Sequence, residues 1–161
     1  LEFKAQQLGL EMDGKAIGNV VDMLKQLEHA GYHFEVADAS LELLMRGAAG
    51  WEHDFFNVES FHVDMVHRGI GEGNGPVNAI DTALRSVLAE RLPQLESIQL
   101  TDYKVRVLDT EKGTGAVTRV LLDSTNGERS WTTIGVSENI IEASWQALID
   151  SVIYGLLLSD R

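Results

Sequence analysis

Apolar residues in the first fifty positions recur every three or four residues, the period of a helix with one buried side. In KAIGNVVDMLKQLEHAG, Ile17, Val20, Val21, Leu24 and Leu27 make one stripe, and Gly31 is placed to take the left-handed conformation after the last turn. In ADASLELLMRG a second stripe runs through Leu41, Leu44 and Met45, with Gly47 placed to end it. GAAGWEHD reads as a linker, and beyond it the period changes. In ESFHVDMVH, Phe61, Val63 and Met65 alternate with His62 and Asp64, as in a half-buried strand. GEGNGP follows, then a helix with Val77, Ile80, Ala83, Leu84, Val87 and Leu88 on one side and Pro93 just past its end.

The pattern then restarts. YKVRVL (103–108) and AVTRVLLDS (116–124) predict two strands joined by the Gly-rich turn EKGTG. TNGE predicts a tight Asn-Gly turn and RSWTTIGV a third strand. SENIIEASWQALIDSVIYGLL predicts a long closing helix, with Ile141, Trp145, Leu148 and Val152 on its stripe and Ser137 as N-cap. Laying GEGNGPVNAIDTAL over GVSENIIEASWQAL at an offset of 64 puts Gly71 on Gly135, Val77 on Ile141, Ala79 on Ala143, Ala83 on Ala147 and Leu84 on Leu148. The fold expected is α+β: a helical subdomain over 1–50, then a region over 51–161 built from two β-β-β-α units, about 52–92 and 99–158. The units are unequal. Tyr103 to Gly135 spans 32 positions and Phe61 to Gly71 only 10, so the first unit is shorter by 22, near 69–71. HRGIGEG is an abrupt join for a strand entering this turn, which favours a segment skipped in the numbered sequence over one lost from the protein.

Composition narrows the function. The chain has 161 residues, 44% of them hydrophobic, with 25 acidic and 13 basic side chains and a net charge of −12. That surface repels nucleic acid and anionic lipid, whose binding relies on Lys and Arg neutralising phosphates. With no cysteine there is no disulfide, thiolate metal site or Cys nucleophile, which fits a cytoplasmic protein. No apolar run reaches the ~18 residues of a membrane span. LEFKAQQLGL has spaced rather than continuous apolar residues, unlike a signal peptide, and begins without Met; the chain is expected to be cut from something longer.

EGNGPVNAIDTAL, DYKVRVLD and GVSENIIEASWQALIDS together resemble the C-terminal regulatory domain of the α-isopropylmalate synthase and citramalate synthase family, the citramalate synthase branch most of all. LEHAGYHFEVADASLELLMR resembles the helical linker subdomain that precedes it. The resemblance implies a domain of two β-β-β-α units that forms a homodimer and binds an end-product branched-chain amino acid, isoleucine or leucine, as feedback inhibitor. It implies a parent transferase that condenses acetyl-CoA with a 2-oxo acid on an N-terminal barrel carrying a divalent metal. The eight-fold β-α pattern of such a barrel is absent from these 161 residues. No catalytic residue, metal ligand or cofactor site is therefore assigned, and the chain is expected to have no activity by itself.

On that resemblance the effector is placed at two helix starts. A helix N-terminus presents unpaired N–H groups and about half a positive charge, which suits a carboxylate as well as a phosphate. Gly73 and Gly75 let backbone approach a ligand closely, Asn74 lies between them, and Pro76 fits the first helical position. The repeat supplies a second start at Ser137, Glu138 and Asn139. Val77, Ile80, Val136 and Ile140 are candidates for the aliphatic pocket, and Glu72, Asp102 or Glu138 for the acceptor of the ammonium. On the residues alone, a tight strand-to-helix turn is the favoured account of GEGNGP, ahead of a ligand site.

Other motifs carry less. G-x-G-x-G-P has the wrong spacing for a dinucleotide fingerprint, and KGTG at 112–115 reads as a hairpin turn rather than a phosphate loop. His62 and Asp64 share a strand face, with His67 and the His53–Asp54 pair nearby, but a solvated face explains them without a metal. Trp131 and Trp145 read as packing, and Glu138 with Glu142 as a chance pair in an acidic chain. The alternatives that remain are a free-standing amino-acid-binding or dimerisation module and, less simply, an enzyme acting through the His62/Asp64 face.

Overall fold

The computed structural model describes residues 1–58, 76–108 and 115–160. The expected strand at Phe61–Met65, with His62, Asp64 and His67, lies outside these residues, as do Gly71–Gly75 and most of the EKGTG turn.

The helical stripes fold as their periods require. α1 (Glu2–Gln7), α2 (Gly14–His29) and α3 (Asp38–Ala48) form the first subdomain, with a 3₁₀ turn at Phe34–Val36. Asp13 caps α2 by accepting from Ala16 N at 2.7 Å. Gly31 closes it at φ 109°, with Tyr32 N donating to Leu27 O and Gly31 N to Glu28 O, a Schellman motif. The end of α3 corrects the expectation at Gly47. The helix runs on to Ala48 and the same motif forms one turn later: Gly50 has φ 86°, Gly50 N donates to Gly47 O and Trp51 N to Arg46 O. A helix stops where the chain can close both bonds, and of the two glycines only Gly50 takes the left-handed conformation.

α4 (Pro76–Leu88) buries a narrower face than its apolar pattern suggests. Val77, Leu84, Ile80 and Leu88 join the main core, but Ala83 is exposed and Val87 is 74% exposed. The reason lies in Arg85. It pairs with Asp81 one turn back and donates to the carbonyls of Leu95 and Ile98 at 2.7 and 2.8 Å, which turns the Asp81–Arg85 side toward the 3₁₀ segment Pro93–Ser97.

β1 (Gln99–Val107), β2 (Thr118–Thr125) and β3 (Ser130–Ser137) form an antiparallel meander in that order, followed by α5 (Ile140–Ser159), the β-β-β-α sequence expected for the second unit. At the β2–β3 turn the Asn126 side chain accepts from the N–H groups of Glu128 and Arg129, leaving Gly127 free to take φ 88°. β2 alternates strictly: Thr118, Val120, Leu122 and Ser124 are buried against α5. α5 corrects two expectations. Its cap is Asn139, which accepts from Ile141 N, because Ser137 still pairs with Thr118 as the last residue of β3. Its contact with the sheet centres on Ala143 and Ala147, both fully buried, while Ile141 and Trp145 flank it half-buried. Small residues allow the approach. A side chain at Gly135 would collide with the Ala143 carbonyl and lie 3.0 Å from Ala147 N. Hydroxyls stitch the contact: Thr133 Oγ1 donates to Ala147 O at 2.7 Å, and Ser151 Oγ bonds Ser124 Oγ and accepts from Trp131 Nε1. By length and mean hydropathy alone α5 would cross a membrane, but it is the core helix of this domain, with 61% of that stretch buried.

The other sheet face is covered by the helical subdomain. Ile134 and Val136 pack with Phe34 and Ala37, beside Leu24, Leu27 and Leu41. The sheet therefore lies between α5 and the subdomain, and β3 touches both.

Candidate functional site

Of the residues proposed at the two helix starts, Gly73, Asn74, Gly75 and Glu72 lie outside the described residues, and Pro76 is the first residue of α4. Val77 and Ile80 belong to the core cluster formed with α5. Val136 does not join them: it is buried in the cluster on the opposite sheet face, and its N–H donates to Gln146 Oε1 at 3.1 Å. Alternation along β3 separates it from Gly135 and Thr133, which face α5.

At the start of α5, Glu138, Asn139 and Ile140 are exposed. Ser137 Oγ accepts from Asn139 N at 3.1 Å and donates to Glu142 Oε2 at 2.6 Å. The first turn thus already holds a carboxylate of its own, drawn to the positive end of the helix. Asp102, a candidate acceptor, is committed elsewhere. It is exposed, pairs with Lys104 at 2.8 Å, and that bond holds its carboxyl below the usual carboxylate range. Lys104 also bridges to Asp123 at 2.8 Å. Among the described residues no group of three or more His, Asp or Glu is placed to hold a metal ion.

The structure adds a second set of polar residues that no local spacing singles out, where the helical subdomain meets β3 and α5. β3 is an edge strand, and its outward N–H groups are taken by side chains: Thr132 N by Asp38 Oδ1 at 2.9 Å, Ile134 N by Ser40 Oγ at 3.1 Å, and Val136 N by Gln146. Ser40 Oγ in turn donates to Asp150 Oδ2 at 2.7 Å, and Tyr32 OH to Gln146 Oε1 at 3.0 Å. Arg119 Nε donates to Gly31 O at the end of α2. Glu42 on α3 is buried, bonded by Arg46 and by Tyr154 OH of α5 at 2.8 Å. The contacts that join the helical subdomain to the sheet and α5 link residues 88 to 114 positions apart, and only the signature of α3 itself, short polar residues at a helix start, hints at them.

Asp150 has a measurable consequence. Burial pushes its carboxyl up to about 6, against the opposing pull of the Ser40 hydroxyl. The folded value lies above the unfolded one, so the folded state binds the extra proton and stability falls as pH rises from about 4 through about 6. Asp150→Asn is expected to remove this loss. In urea titrations the variant's stability relative to the parent should rise by about 2 kcal/mol between pH 4 and pH 7.5. A difference that stays flat with pH would show that the carboxyl ionises freely in the fold.

Comparison with known proteins accords with this architecture. The LeuA allosteric (dimerisation) domain family matches residues 64–156. The (R)-citramalate synthase of Aquifex aeolicus (strain VF5) is 42% identical over 185 aligned positions, which take in 100% of this chain and 35% of that protein. Those of Synechocystis sp. and Streptomyces coelicolor are 44% and 42% identical, over 96% and 98% of this chain and 33% and 34% of theirs. The chain spans about a third of the length of the curated relatives it matches. An alignment of 185 positions over 161 residues also means that the Aquifex protein carries at least 24 positions this sequence lacks. From β1-β2-β3-α5 and the family match together, the chain belongs to the LeuA allosteric (dimerisation) domain family.

Proposed function

We propose that this chain is the regulatory region of a citramalate synthase, a homodimer that senses an end-product branched-chain amino acid, isoleucine before leucine, and so inhibits condensation of acetyl-CoA with a 2-oxo acid. The observation that carries the reading is the path of β3. It runs from residues held by the helical subdomain, through Val136, directly into the exposed start of α5 at Ser137–Ile140. An effector seated there and on the Gly73–Val77 turn would act on a strand already bonded to the segment that precedes the domain. Coupling of this type is typically about 1–3 kcal/mol and reciprocal in binding. The catalytic barrel and its divalent metal belong to the parent protein, and the residues described carry no step of that reaction.

Thermal unfolding with isoleucine, leucine, valine or lysine tests the reading. A ligand at about 100 times its dissociation constant adds roughly 2.7 kcal/mol. Isoleucine is expected to raise Tm most, and Gly75→Asp to abolish the rise by placing a like charge against the effector carboxylate. Glu142 gives the opposite sign. Its carboxylate occupies the first turn of α5, so Glu142→Gln should tighten effector binding by about fivefold, the ~1 kcal/mol value of a charge at a helix end. No shift with any amino acid, or full affinity in Gly75→Asp, would remove the helix starts as the site.

A further inference from the structure

The seam between the helical subdomain and α5 opens into a cleft of about 800 Å³. None of the described effector candidates lines it. Its walls are largely apolar, Leu43, Trp51 and Phe56 among them, and it holds three polar side chains of interest: Ser40, His53 and Asp150. The Asp150 carboxylate receives the Ser40 hydroxyl, and among the described residues no cationic side chain pairs with it. His53 Nδ1 is buried without a hydrogen-bond partner among the described residues. Its ring lies 5.5 Å from that of Phe56, 5.9 Å from Phe55 and 6.1 Å from Trp51. A buried nitrogen without a partner is uncommon and costly, and it is satisfied when a ligand supplies one.

These features select a charge type. Among the described residues lining the cleft there is no lysine or arginine, so an anion finds no counter-charge. A cation finds a carboxylate and the faces of aromatic rings. Apolar walls with a few convergent polar groups are the usual form of a small-molecule site. We propose that the cleft binds a small organic ammonium with a short apolar body. The ammonium donates to Asp150 and, with His53 in its Nε2–H tautomer, to Nδ1; the body lies along Leu43, Trp51 and Phe56. A cation here also offsets the burial that drives Asp150 toward protonation. The proposal does not depend on the effector reading.

Calorimetric titration of the chain with 3-methylbutylamine, 3-methylbutanol and isoleucine tests this. The amine is expected to bind one-to-one and the isosteric alcohol at least about tenfold more weakly, since only the charge differs. Asp150→Asn should weaken the amine by about tenfold or more, while circular dichroism reports an intact fold. The alcohol comparison needs no variant, so a misfolded Asp150→Asn leaves the test standing. Isoleucine that competes with the amine supports the cleft and moves the effector to it. Isoleucine that binds without competing supports two sites. Absence of amine binding at millimolar concentration, equal binding of amine and alcohol, or an unchanged affinity in a folded Asp150→Asn overturns the proposal, and isoleucine binding would then still stand or fall by itself.

Discussion

Gly135→Val is expected to cost about 3 kcal/mol or more, a large share of the roughly 5–15 kcal/mol by which an ordinary domain is stable. A Cβ at this position collides with the Ala143 carbonyl and crowds Ala147 N, and these are backbone atoms of a helix, which cannot swing aside as a flexible side chain can. α5 would have to lift from β3, breaking the Thr133–Ala147 bond and opening the buried Ala143–Ala147 contact. Gly18 in the middle of α2 is the matched control. A Cβ there meets nothing within 4 Å, so Gly18→Ala should raise stability by about 0.5–1 kcal/mol through helix propensity. Urea denaturation followed by circular dichroism separates the two. A Gly135→Val protein as stable as the parent would show that helix and strand are not packed backbone to backbone.

Removing the charge partner of Glu42 should be nearly as damaging. Arg46 Nε and Nη2 lie 2.8 and 2.7 Å from Glu42 Oε1, and the two side chains are only 12% and 5% exposed. Breaking a buried ion pair by removing one member is strongly destabilising, a loss of about 3–5 kcal/mol. Tyr154 OH still donates to Oε2, which places Arg46→Met at the lower end, about 3 kcal/mol. Arg46→Met with Glu42→Gln should recover much of that, because the neutral amide keeps the Tyr154 bond and has no charge to strand. The double-mutant cycle isolates the coupling. If the single variant matches the parent, the carboxylate has found solvent and α3 is not seated on α5 as described.

Periodicity made most elements legible, because a buried face repeats along the chain whatever covers it. The stripe of α2, the left-handed Gly31, the meander and the long last helix all follow from local rules. Ambiguity arose where two nearby residues satisfy the same rule. Gly47 and Gly50 can both end a helix, and Ser137 and Asn139 can both cap one; tertiary pairing, such as Ser137 with Thr118, decides. The stripe through Ile141 and Trp145 followed the largest side chains, whereas the closest contact uses the smallest. Val136 shows a different limit. Alternation says that it faces away from Gly135, not which element covers each face, so it could not be assigned to the subdomain cluster in advance. Ser40 and Asp150 are 110 positions apart, and only the folded chain brings them together.

The pattern change near residue 50 divides the sequence into a helical part and a mixed one, and the bonding of β3 denies that division. Asp38 and Ser40 supply, from the first part, the acceptors that another strand would supply to the second. The two parts therefore do not behave as interchangeable modules. A helical segment grafted from a relative would have to bring oxygens to the same two positions, or leave the buried Ile134 donor unmet. The boundary that composition draws is a place where the chain changes style, and the cooperative unit runs across it.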